Sequence, residues 1–112
     1  MKDILELVKI AQNALEDKLG KDVKVLDLRG ISDIADYFLI ATGNNASQVR
    51  AMADNVEEKL FKAGLKLNHS EGYTAAAWVL LDFGNILVHI FDKEQRDFYN
   101  LDRVWADAKE VE

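Results

Sequence analysis

The stretch "DIADYFLIATGNNASQ", residues 33–48, passes from an apolar run into a Gly-Asn-Asn turn and then into the polar start of a helix. Residues 37–41, YFLIA, are apolar without alternation, which is the pattern of a strand covered on both faces and therefore of a central strand. Asn45, followed three positions later by Gln48, has the spacing of a capping box, and Val49, Met52, Ala53, Val56 and Leu60 then recur as one helical stripe. Gly64 ends that helix, with Lys59 and Lys62 in the favourable last turn. A strand, a glycine turn and a helix N-terminus are the layout with which nucleotide-binding enzymes hold phosphate. Whether the stretch is an active site or only its frame depends on the chemistry around it.

Upstream, Ile4, Val8, Ala11 and Leu15 share one face at helical spacing, joined by Leu7 and Leu19, and Gly20 stands where the helix would stop. Residues 23–28, VKVLDL, are short, β-branched at the start and bounded by Gly30, which favours a strand, with a turn expected over residues 31–34. Downstream, residues 65–70, LKLNHS, read as an edge strand because Leu65 and Leu67 alternate with polar neighbours. Residues 78–91, WVLLDFGNILVHIF, read as two strands around the tight turn Gly84-Asn85. Residues 93–108 suit one or two short helices, with Phe98, Tyr99, Leu101, Val104 and Trp105 available for docking. The order αββαβββα, without repeat or linker, predicts an α/β fold: residues 1–112 as a single domain, a mixed β-sheet with packed helices.

Composition narrows the function. A chain of 112 residues and 12.7 kDa leaves no room for a separate catalytic domain, and its apolar half is spread along the whole length, enough for a core without disulfides or metals. Cysteine is absent, which removes thiolate nucleophiles and Cys-based zinc sites and suits a reducing cytoplasm. No run approaches the roughly 18 apolar residues of a membrane span, and the start of the chain mixes charged with apolar residues, so a cytoplasmic protein with no membrane partner is expected. Twenty acids against 14 Lys and Arg give a net charge of -6, the wrong sign for gripping phosphates, so little direct nucleic-acid binding is expected. Residues 92–112 hold seven acids and four bases, half of the surplus, which would draw a basic protein partner.

Catalytic equipment does not follow the phosphate-binding layout. Two-metal nucleotidyltransferases need two carboxylates one residue apart on a strand, yet no Asp-x-Asp or Asp-x-Glu pair follows on any predicted strand, and Asp82 is followed two positions later by Gly84. Ser32, Ser47 and Ser70 lie in no nucleophile-elbow pattern, and His69-Ser70-Glu71 reads as solvated loop. No catalytic, cofactor or metal residues are assigned. The hairpin is more informative. A Gly84-Asn85 turn sets Trp78 opposite Phe91, Leu80 opposite His89 and Asp82 opposite Leu87, all on one face. The other face collects Val79, Leu81, Phe83, Ile86, Val88 and Ile90 and is the natural core side. The first face, with a Trp, a Phe, two Leu, an Asp and a His, is mixed as interface centres are, although each of Trp78 and His89 taken alone has an ordinary packing role. The six residues Trp78, Leu80, Asp82, Leu87, His89 and Phe91 are the candidate partner-binding site, and a homodimer of the free protein would cover the same apolar patch.

Three segments, DIADYFLIATG at 33–43, WVLLDFGNILVHIF at 78–91 and RDFYNLDRVW at 96–105, stand in the order and spacing of the RsfS/iojap ribosomal silencing factors. The resemblance extends from Leu5 to Ala108. It implies a nucleotidyltransferase-like fold without that activity, and binding to ribosomal protein number fourteen of the large ribosomal subunit. Bound there, such a protein prevents the small subunit from joining and lowers translation when nutrients are short. The implied contact region falls on Trp78, on residues 79–84 and on the strand that contains His89. Members often carry Asp where this chain has Ala77 and Asn85, which shifts electrostatic contact toward Asp82 and the acidic tail. A divergent metal-dependent nucleotidyl- or phosphotransferase is the alternative, resting on the strand, the Gly43-Asn44 turn and the helix alone.

Overall fold

A computed structural model of the chain describes residues 3–30, 35–94 and 109–110. Helix α1 spans Ile4–Asp17, strand β1 Lys21–Asp27, strand β2 Tyr37–Gly43 and helix α2 Ala46–Lys62; strands β3 His69–Glu71, β4 Trp78–Asp82, β5 Ile86–Asp92 and β6 Lys109–Glu110 follow. The sheet order is β3-β4-β5-β2-β1-β6, with β2 and β5 parallel at the centre and every other pair antiparallel. Five main strands and two helices make a mixed α/β fold, and the two-residue β6 pairs with β1 at the edge. The expected turn at 31–34 and nearly all of the helices expected over 93–108 fall outside the described residues.

β2 is buried along its whole length, as its unbroken apolar run predicts. Its alternate side chains feed two cores. Tyr37, Leu39 and Ala41 join Val79, Leu81, Val88 and Ile90 beneath the buried stripes of α1 and α2. Phe38 and Ile40 join Leu26, Leu28, Ala35, Leu87 and Phe91 in a smaller cluster that draws no residue from either helix.

The two helices stop by the same device. In α2 the cap Ala63 is followed by Gly64 at φ +97°, and Leu65 N–H donates back to Leu60 O at 2.8 Å while Gly64 N–H donates to Phe61 O at 3.0 Å. In α1 the residue in the left-handed conformation is Leu19, at φ +64°, and not Gly20. Gly20 N–H donates to Leu15 O at 3.0 Å and Leu19 N–H to Glu16 O at 2.9 Å. The expected stop at Gly20 is therefore one residue late. Leu19 is corrected with it: its side chain points out of the helix face it was expected to join and is 77% exposed.

The edge strand also moves. Residues 65–68 are not a strand; Leu65 and Leu67 pack against the helix-covered core, and pairing begins when Asn68 N–H donates to Asp82 O at 2.9 Å. Leu65 is already committed to closing α2, which removes it from any ladder. The hairpin is as expected: Phe83 N–H donates to Ile86 O at 2.9 Å around Gly84-Asn85, and Gly84 supplies the positive φ of +91° that this turn requires of its first central residue.

Candidate functional site

The frame read first in the sequence is occupied by its own side chains. Gly43 ends β2 where a Cβ would lie 2.8 Å from Val49 Cγ2, so only glycine lets α2 start this close to the strand. Asn45 Oδ1 accepts from Gln48 N–H at 2.9 Å. The return half of the expected capping box is displaced: Gln48 Oε1 accepts from Asn44 N–H at 2.6 Å, and its Nε2 donates to the carbonyls of Lys18 and Leu19, both at 3.0 Å. Gln48 thus ties the start of α2 to the end of α1. Its contacts, and that of Asn45, occupy N–H groups that a phosphate would need. Among the described residues no group of three or more His, Asp or Glu could hold a metal ion.

The hairpin builds a different site. Cross-strand pairs are Trp78 with Phe91, Leu80 with His89 and Asp82 with Leu87, and the parallel neighbour β2 sets Phe38 beside Leu87 and Ile40 beside His89. The Trp78 ring stacks on Phe91 with centroids 5.1 Å apart, and its Nε1–H donates to His89 Nδ1 at 3.0 Å. His89 in turn meets Phe38 edge-to-face at 4.8 Å. Burial pushes the His89 imidazole down from 6.5 to about 4, because the charged form would lose its hydration. The ring is neutral at pH 7. With Nδ1 accepting, the proton resides on Nε2, and that buried atom has no hydrogen-bond partner among the described residues.

Burial divides the six candidate residues. Leu87, His89 and Phe91 are covered, with exposures of 8%, 6% and 0%, whereas Trp78, Leu80 and Asp82 are half-buried. Of the six residues on this face, three reach the surface and three lie buried beside them. β5 lies between the longer strands β4 and β2, while β4 has only the three-residue β3 on its outer side. Asp82 is held by accepting from Gly84 N–H at 2.8 Å.

The chain is similar to known proteins over its whole length. Residues 1–112 match the family model described as "Ribosomal silencing factor during starvation". The chain belongs to the ribosomal silencing factor family. A "Ribosomal silencing factor RsfS" of Halalkalibacterium halodurans is 44% identical over 107 residues, covering 96% of this chain and 92% of that protein. Its counterpart in Bacillus subtilis is 43% identical, covering 91% and 86%. A crystal structure of a Chromobacterium violaceum protein superposes with a TM-score of 0.91 at 37% identity, covering 94% of this chain and 88% of that one. Membership in a ribosome silencing family implies a ribosomal partner and a part in translation regulation. Among the described residues no helix is long and apolar enough to cross a membrane.

Two further residues of the mixed face, which the sequence pattern did not place there, are on β3. Register places Glu71 opposite Leu80 and His69 opposite Asp82, so both project onto the same face as Trp78, beside the half-buried residues, while Ser70 projects to the other side with Leu81. His69 Nε2 and Glu71 Oε1 are 3.1 Å apart, and both side chains are exposed. The segment is therefore the rim of the mixed face and not a detached loop. Its signal in the sequence was the alternation His-Ser-Glu, too short to read without the partner strand.

Proposed function

We propose that this chain silences ribosomes by binding the large ribosomal subunit through ribosomal protein number fourteen and sterically blocking the small subunit. The observation that supports it best is the half-buried trio Trp78, Leu80 and Asp82, with Trp78 stacked on the buried Phe91 ring and Glu71 and His69 at the rim. Such a face has an apolar anchor for affinity and carboxylates for steering a basic protein toward it. The nucleotidyltransferase-like frame then serves as scaffold: the Gly43-Asn44 turn is closed by Asn45 and Gln48 and contributes no chemistry. The protein acts in the cytoplasm, makes little direct contact with nucleic acid, and when free forms a homodimer through the same face, in competition with the ribosome.

Mechanism follows from size and charge. A 12.7 kDa acidic protein can exclude a large body from the surface it occupies. Ribosomal RNA repels its net charge of -6, so a basic ribosomal protein is the suitable footing. Large subunits preloaded with the protein should fail to join small subunits in a light-scattering assay, without nucleotide, and added salt should slow the loading step. Normal joining by saturated large subunits, or a block that needs ATP or GTP turnover, would refute steric silencing.

A further inference from the structure

On the opposite side of the molecule, α2 carries a second, unrelated surface. Its buried stripe, Val49, Met52, Ala53, Val56 and Leu60, packs on the helix-covered face of the sheet, and beside it runs an exposed stripe with a different chemistry. Asp54, Glu57, Glu58 and Phe61 are spaced i, i+3, i+4, i+7 and so line up on one side of the helix. Phe61 is 65% exposed. Together with Lys66 and Leu67, which follow the end of α2, these residues line a groove of about 390 Å³. Tyr73, 40% exposed, donates its hydroxyl hydrogen to Asp54 Oδ2 at 2.9 Å.

We propose that this groove docks a short, basic, amphipathic helix of a second protein, inserting one apolar side chain between Phe61 and Leu67 and placing Lys or Arg against Glu57 and its neighbours. Charge complementarity selects the occupant. Of the three carboxylates that line the groove, Glu58 is paired with Lys62 at 3.0 Å, which leaves Asp54 and Glu57 against the single lining ammonium of Lys66. A nucleic acid or an anionic lipid surface would be repelled, and a purely apolar ligand would strip water from carboxylates without replacing it. A second copy of this chain would bring its own net charge of -6. A cationic segment with an apolar anchor satisfies both parts of the surface. The stripe from Asp54 to Phe61 is about 10 Å long at 1.5 Å per residue, which matches two turns of an incoming helix. Because the groove belongs to the helix layer and Trp78 to the opposite face, both can be occupied at once.

The test uses the full chain, labelled for amide NMR, with two probes: an amphipathic Lys/Leu peptide and a Lys/Ser peptide of equal length and charge. The Lys/Leu peptide should shift the amides of Asp54, Glu57, Phe61 and Leu67 and bind about tenfold more tightly than the Lys/Ser peptide, the factor expected for one anchored apolar side chain. Phe61→Ser, at an exposed position that leaves the core intact, should remove that advantage, and Glu57→Lys should weaken the Lys/Leu peptide several-fold. Equal binding of the two peptides, shifts centred on Trp78, or an unchanged Lys/Leu affinity in Phe61→Ser would each overturn the proposal. So would a concentration-dependent self-association of the chain that Phe61→Ser abolishes, since the occupant would then be a second copy.

Discussion

The two faces of the sheet are built from the same strands and behave oppositely. On one, Tyr37, Leu39, Ala41, Val79, Leu81, Val88 and Ile90 are at most 2% exposed and are closed by the chain's own helices. On the other, Phe38, Ile40, Leu87, His89 and Phe91 are buried, but Trp78, Leu80 and Asp82 stop halfway, and the charged rim of His69 and Glu71 adjoins them. The difference teaches where the energy of each face goes. Packing under the helices is complete and holds the fold, whereas the mixed face leaves part of the area of Trp78 and Leu80 uncovered.

The largest expected effect separates the faces by stability. Leu39→Ala, in the fully buried centre of β2, should cost about 3 kcal/mol or more in urea unfolding through lost burial and an unfilled cavity. Leu80→Ala, half-buried on β4, should cost roughly 1 kcal/mol. Equal costs would show that the mixed face carries as much of the fold as the helix-covered one.

Acid should find the mixed face first. The folded His89 titrates near 4 and the unfolded residue near 6.5. Above pH 6.5 both states are neutral there and nothing changes. As pH falls from 6.5 to about 4 the unfolded chain takes up a proton that the native ring refuses, so stability drops by roughly 3 kcal/mol from this residue and then levels off. Denaturant midpoints measured across that window should lose this slope in His89→Leu. A slope that persists in the variant would assign the acid sensitivity to other groups.

Next comes the anchor itself. Trp78→Ala should weaken partner binding by on the order of 2 kcal/mol or more while circular dichroism still reports a folded domain. An unchanged affinity in a folded variant would refute Trp78 as anchor, and loss of folding would return it to the core. The same variant should abolish self-association of the free protein in sedimentation.

The smallest effect probes the helix-covered face. Tyr37 is fully buried and its hydroxyl has no hydrogen-bond partner among the described residues, with burial pushing its ionisation upward. Tyr37→Phe should therefore leave the melting temperature unchanged or raise it, by up to about 1 kcal/mol of stability. A clear loss would mean that the hydroxyl is satisfied by a bound water.

Much of this was decided by the chain locally. The period of two along β4 and β5, with glycine at the one turn position that needs a positive φ, determined which six residues share the mixed face and which residue of each pair stands opposite. The buried run of β2 and the stripe of α2 were likewise legible, because each is a repeat within one element. Tertiary structure alone decided how far each of the six is covered, and it set β5 between β4 and β2 while giving β4 only three residues of β3 on its outer side. It alone brought His69 and Glu71 to the rim and sent Gln48 to the carbonyls of Lys18 and Leu19, about thirty residues away. Periodicity reports which way a side chain points from its own backbone; what it meets there depends on segments distant in sequence, and no local pattern carries that information.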